Sequence, residues 1–164
     1  NGTTYPYQPD ASSNRIRAVV LIAAGFDEQA AAAMVGQLRR SGLGVALVST
    51  TAGLIRGKQG LAIRPDYSLE TLPSENGILL VGVPGSKHSA LALLTDPRVH
   101  RLFGRVLDHD GRLAILDGAE TAFADAGLLD VLANTRCWLQ GSQPLEPFTK
   151  QMRDYLDGWQ TVTE

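Results

Sequence analysis

Three side chains with nucleophile, base and carboxylate character fall in two short segments of this chain. Ser86 and His88 stand two positions apart, and Asp117 follows further on. A hydroxyl, an imidazole and a carboxylate are the parts of a nucleophilic hydrolase: the imidazole takes the hydroxyl proton and the carboxylate fixes the imidazole. The close spacing of Ser86 and His88 works against a direct hydrogen bond, and no sequence signal holds Ser86 in a strained elbow. The plainer reading makes Ser86 a helix cap and leaves His88 in solvent. On that reading Asp117 accepts from backbone N–H groups at a helix start. Cys137, the one cysteine, sits beside Trp138 in an apolar segment. With no carboxylate-paired histidine near it in sequence, it reads as a buried structural thiol rather than a relocated nucleophile. Asp108-His109-Asp110 has metal-ligand residue types, but adjacent positions on a helix point in different directions. Gly57-Lys58-Gln59 lacks the Ser or Thr that ends a phosphate-binding loop. No cofactor site and no metal site is expected.

The elements that must position these residues follow from hydrophobic period. Ala18–Ala23 is a continuous apolar run of strand length, as in a parallel strand covered on both faces. Gly25 breaks it, and Asp27 and Glu28 open a helix whose buried stripe is Ala31, Met34, Val35 and Leu38. Gly42 stops that helix and Val45–Val48 is the next strand, completing a βαβ unit. A small hairpin turns at Gly57–Gly60. Ser68 caps a short turn. Ile78–Val83 is a third buried strand, and a short helix covers Ser89–Leu94. Thr95-Asp96-Pro97 opens a strong helix, with a cap candidate and a proline in the first turn, and core residues Val99, Leu102, Phe103, Val106 and Leu107. Leu113–Leu116 is the fourth strand, followed by an Ala-rich helix and a short strand at Arg136–Leu139. Phe148, Met152, Tyr155, Leu156 and Trp159 mark a last amphipathic helix. Alternating strands and helices predict a doubly wound α/β fold, flavodoxin-like, mostly parallel, with helices on both faces. Ligands in such folds lie beyond the carboxyl ends of the strands. The segments to watch are therefore 24–28, 84–88 and 117–120.

Composition bounds the function. The chain has 164 residues, 44% hydrophobic and 20% charged, which suits one globular core. Residues 1–15, with Gly2, Pro6, Pro9, Ser12 and Ser13, read as a flexible linker, and residues 16–164 as a single domain. Fifteen Lys and Arg against seventeen Asp and Glu give a net charge of −2. That balance argues against a nucleic-acid partner. No apolar run is long enough to cross a bilayer and no secretion signal is read, so a cytoplasmic setting is favoured and no membrane partner is expected. One cysteine makes neither an internal disulfide nor a cysteine-based zinc site. The chain opens on Asn1 rather than Met, as a processed or excised polypeptide would.

Several segments together carry a resemblance. They are Gly25-Phe26-Asp27-Glu28, Leu38-Arg39-Arg40-Ser41-Gly42, the hairpin at Gly57–Gly60 and Pro65-Asp66-Tyr67-Ser68-Leu69. Val83-Pro84-Gly85 and Ala114-Ile115-Leu116-Asp117-Gly118 complete the set. In this order the chain from 17 to 129 resembles the ThiJ/PfpI superfamily, relatives of the class I glutamine amidotransferases. Active members carry a cysteine in a tight strand-to-helix turn and a carboxylate from the first helix beside it. The resemblance places the cysteine position on Leu116, or on Asp117 if the turn slips by one. It places the carboxylate position on Ala30, and a position where some members have histidine near Asp125. None of these residues supplies the family chemistry, so no catalytic residue is carried over.

One branch with these losses is the C-terminal domain of large-subunit catalases. The chain is similar to it in lacking both groups, in starting in a Pro/Ser-containing segment and in the stretch Asn134-Thr135-Arg136-Cys137-Trp138. That resemblance implies a catalase core domain as partner, with haem held by that core and none by this chain. It also implies stabilisation of the parent and ATP-independent chaperone activity towards unfolding clients. Phe148, Met152, Tyr155 and Trp159 are then a candidate apolar interaction or self-association surface. The alternative is a small hydrolase or glyoxalase-type enzyme with an altered site at Ser86, His88 and Asp117.

Overall fold

The computed structural model describes residues 15–73 and 77–163; the linker expected at the N-terminus lies almost wholly outside them. The elements in chain order are β1 (Ile16–Ile22), α1 (Glu28–Arg39), β2 (Gly44–Ser49), β3 (Ile55–Arg56), β4 (Ala62–Ile63) and β5 (Tyr67–Ser68). There follow β6 (Leu80–Val83), α2 (Lys87–Leu94), α3 (Pro97–Asp108), β7 (Arg112–Ile115), α4 (Ala119–Asp125), α5 (Leu129–Leu132), β8 (Cys137–Leu139) and α6 (Leu145–Thr163). Six strands form one parallel sheet in the order β5-β2-β1-β6-β7-β8, and β3 pairs antiparallel with β4 beside it. This is the flavodoxin-like fold expected from the alternation of strands and helices.

The period of two along each strand sorts the core into two layers. Val19, Leu21, Val81, Val83, Leu113 and Ile115 face the layer that holds Leu93, Leu102, Phe103 and Phe123 of α2, α3 and α4. Ala18, Val20, Ile22, Leu80, Ala114 and Leu116 face Met34 and Leu38 of α1 and Phe148, Met152 and Leu156 of α6. Both faces are covered, which is why β1 reads as an unbroken apolar run rather than an alternating one.

Two local differences have physical reasons. Ser68 opens the expected turn, its carbonyl accepting from the Thr71 and Leu72 N–H groups, but it also closes β5, a strand the sequence did not reveal, which pairs with β2 through Val48–Tyr67 and Ser49–Ser68. Two residues of strand at a sheet edge leave too short a pattern to detect. The Ala-rich segment after β7 divides into α4 and α5, because Gly127 takes a φ of +76° between them.

Candidate functional site

Three loops meet at the carboxyl end of the sheet. The first follows β1, where Gly25 accepts at its carbonyl a 2.8 Å hydrogen bond from Ser86 Oγ. The second is the β6–α2 turn, Pro84-Gly85-Ser86. The third is the β7–α4 turn, Leu116-Asp117-Gly118. Gly85 lies so close to the third loop that a Cβ there would overlap the Asp117 carbonyl oxygen. The imidazole of His88 lies against Gly25, where an added Cβ would stand 2.8 Å from His88 Cδ2. The fold thus gathers Ser86, His88 and Asp117 into one neighbourhood.

It does not connect them as a relay. Ser86 Oγ donates to Gly25 O and accepts from the Ser89 N–H at 3.2 Å, which makes it the N-cap of α2. Ser89 in turn is buried and exchanges hydrogen bonds with the Ala23 backbone, tying α2 to the end of β1. His88 is exposed. Asp117 is exposed too, and its backbone N–H donates to Gln140 Oε1 at 2.8 Å. Among the described residues no hydrogen bond joins Ser86 to His88 or His88 to Asp117. The helix-start role anticipated for Asp117 is not the one it plays: Gly118 is the N-cap of α4, and no side chain caps that helix.

Strain sits at a residue whose sequence neighbours do not signal it. Ser86 has φ +99° and ψ +113°, in a region that side-chain-bearing residues enter at a cost of about 1–3 kcal/mol. The expectation that Ser86 is unstrained is therefore corrected. The strain accompanies the packing of Gly85 against Asp117 and the two hydrogen bonds of Ser86 Oγ. At the β7–α4 turn the positive φ falls on Gly118, at +91°, and not on Leu116.

Leu116 and Ala30, where the resemblance puts thiol and carboxylate, are 1% and 7% exposed and belong to one apolar cluster. Leu116 has no lone pair to offer a carbonyl carbon, and Ala30 has no side-chain proton to give or take. Asp125 is exposed and pairs with Lys87 at 2.7 Å.

The remaining candidates are placed as follows. Cys137 is buried, and burial, aided by the charge of Glu120, pushes its thiol up to about 11, far from a reactive thiolate. His109 is the C-cap of α3, with Nδ1 2.8 Å from Arg105 O, while Asp110 pairs with Arg136 at 2.7 Å. Among the described residues no three His, Cys, Asp or Glu side chains converge as metal ligands would. Lys58 pairs with Asp27 at 3.1 Å in the hairpin. Phe148 and Met152 are fully buried under α1 and β1, which removes them from any interaction surface. The amphipathic stripe of α6 is consumed by its own domain. Tyr155 and Trp159 are half-buried; the Tyr155 ring meets Trp138 and Trp159 edge-on, and Arg112 lies 5.1 Å over the Tyr155 ring. Burial raises the Tyr155 phenol above its ordinary value.

Sequence reasoning missed Glu28. Its carboxylate is 8% exposed and accepts from the Gln59 N–H at 2.9 Å and the Leu61 N–H at 3.1 Å. It clamps the hairpin to α1. The signal available was an acidic residue in a first helical turn, which reads equally well as a solvated helix-dipole partner.

A parallel sheet of this order defines a flavodoxin-like domain, with its strand-end loops converging at Gly85 and Gly118. The family model described as DJ-1/PfpI family matches residues 16–158, and the chain belongs to that family. No curated protein matches the sequence significantly. Among solved structures, Drosophila melanogaster DJ-1beta superposes with a TM-score of 0.75 at 19% identity, covering 86% of this chain and 90% of that one. A DJ-1 superfamily protein of Salmonella typhimurium, solved as a cysteine-to-alanine mutant, gives 0.71 at 18%, covering 88% and 91%. An Anabaena variabilis two-domain protein with DJ-1/ThiJ/PfpI-like and ferritin-like domains gives 0.71 at 14%, covering 87% of this chain and 48% of that one. At these identities the likeness establishes the fold.

Proposed function

We propose that this chain is a non-catalytic DJ-1/PfpI-like domain that forms the C-terminal domain of a large-subunit haem catalase. In that role it stabilises the peroxide-decomposing parent and holds unfolding client proteins without ATP. The observation that carries the non-catalytic reading is the pairing of Leu116 and Ala30 in one buried apolar cluster. The positions the family uses for nucleophile and carboxylate have become core, and the turn at Leu116 has lost the strain that would present a nucleophile. The catalase assignment rests on the resemblance of this loss pattern and of residues 134–138. The Anabaena two-domain protein supports the use of such a domain as a fused module. The client-holding role is supported by Leu54 and Leu61 on the hairpin, 62% and 58% exposed.

The deciding experiment takes the intact mass and Soret absorption of the natural polypeptide that carries this segment. A much longer chain with a haem band is expected. A free polypeptide of this size without haem overturns the catalase assignment. Suppression of thermal aggregation of a client enzyme, stoichiometric and ATP-independent, is expected next and is unchanged by Asp117→Ala. Turnover of a small ester or 2-oxoaldehyde that Asp117→Ala abolishes overturns the non-catalytic reading.

A further inference from the structure

A groove unrelated to the strand-end loops runs between α1 and the β3–β4 hairpin, over Leu47 of β2, and encloses about 570 Å³. That volume suits a small organic ligand. Its walls are mostly apolar, formed by Phe26, Ala31, Val35, Leu61 and Ile63. Ala32 and Gly36 keep the α1 wall low, and nothing stands within 4 Å of where a Gly36 Cβ would lie. Leu61, 58% exposed, is left partly uncovered at the rim, so an apolar occupant gains by removing that surface from water.

The charges at the two ends differ. At the start of α1 the Glu28 carboxylate is already satisfied by the Gln59 and Leu61 N–H groups. At the other end Arg39 is paired with Asp66 at 3.1 Å. Arg40 is exposed and hydrogen-bonds the neutral Gln37 at 3.1 Å; it joins no carboxylate in an ion pair among the described residues. The C-terminus of α1 contributes about half a negative charge, which is less than the full charge of Arg40. The groove is therefore apolar along most of its length and ends at the Arg40 guanidinium, with Glu146 of α6 nearby but, among the described residues, in no ion pair with it.

We propose that this groove binds an amphipathic monocarboxylate. Its unbranched alkyl tail lies along α1 between Val35 and Leu61, and its carboxylate sits on the Arg40 guanidinium, whose paired donors match a carboxylate. From Glu28 to Arg40 the helix rises about 18 Å, room for a medium-length chain. This inference is independent of any catalase parent.

The test titrates the full chain with decanoate and with decan-1-ol by calorimetry. Saturable decanoate binding is expected, and decan-1-ol binds more weakly by about tenfold, the ratio one charge-assisted hydrogen bond supplies. Arg40→Gln weakens decanoate by a similar factor and leaves decan-1-ol unchanged. Val35→Trp, checked for folding by circular dichroism, fills the groove and abolishes both. Absence of saturable decanoate binding overturns the proposal. So does binding that survives Val35→Trp, or binding indifferent to Arg40→Gln. Sedimentation equilibrium separates the other occupant: a dimer that Val35→Trp dissociates and decanoate does not shows a second copy seated there, and it also overturns the proposal.

Discussion

The β6–α2 and β7–α4 turns lie side by side and have taken opposite solutions to the same geometry. In the first, a polar residue with a side chain, Ser86, holds the left-handed backbone at φ +99°, and its hydroxyl is committed to Gly25 O and Ser89 N. In the second, the left-handed position belongs to Gly118, and Leu116 is buried at 1% exposure. One turn keeps strain and offsets it with hydrogen bonds. The other places its positive φ on a glycine and buries its leucine in the core. A strand-end loop in this fold is thus not a functional site by position alone; what its residues are bonded to decides.

The sharpest way to break this comparison is at the core side. Leu116→Ala removes a buried side chain from the cluster that also holds Phe26, Met34 and Phe148. The expected loss is about 2–5 kcal/mol, read as a lower midpoint in urea at unchanged slope. A loss below about 1 kcal/mol would mean that Leu116 is not packed as a core residue, and the site would have to be reopened as a cavity.

The strained side is tested by two substitutions at one position. Ser86→Ala keeps the left-handed strain and loses both side-chain hydrogen bonds, for an expected cost of about 1–2 kcal/mol. Ser86→Gly loses the same bonds but relieves strain of about 1–3 kcal/mol, against a backbone-entropy penalty of about 0.5–1 kcal/mol. Ser86→Gly should therefore be the more stable of the two variants by about 1 kcal/mol. The reverse order in thermal or urea unfolding would show that φ at Ser86 is not strained in solution.

The difference between the turns also explains what the sequence could reveal. The buried strands, α1 and α3 were legible, because their apolar period and their caps Asp27 and Asp96 act within a few residues. The resemblance pointed to Leu116 and Ala30 as the positions of nucleophile and carboxylate; that both are buried in one apolar cluster is what the structure adds. Three things were not legible. The strain at Ser86 accompanies contacts with residues far along the chain, Gly25 and Asp117. The Glu28 clamp joins groups 31 and 33 residues apart. The burial of Phe148 and Met152 depends on which helix covers which face of the sheet, and an amphipathic stripe in one dimension does not say whether its partner is its own domain or another.

An unstrained cap next door supplies the reference for the smallest effect. Asp96, at φ −98°, caps α3 by accepting from the Arg98 N–H at 2.9 Å, and its carboxylate also takes Arg98 Nη2 at 2.7 Å. The side-chain hydrogen bond from Arg98 holds the Asp96 carboxyl below its ordinary value, against the opposing effect of burial. A carboxyl lowered on folding contributes stability above its unfolded value near 4 and loses it as pH falls through the folded value. Asp96→Asn keeps an N-cap acceptor and removes the charge, so it should cost about 1 kcal/mol or less at pH 7. Measured across pH, the gap between parent and variant should be constant from neutrality down to about pH 5 and close below about pH 4. The Ser86 variants carry no such titration, and their gap from the parent should stay flat over the same range. A gap at Asp96 that persists undiminished in acid would place its contribution in the neutral cap alone, and the two helix starts would then differ only in backbone strain.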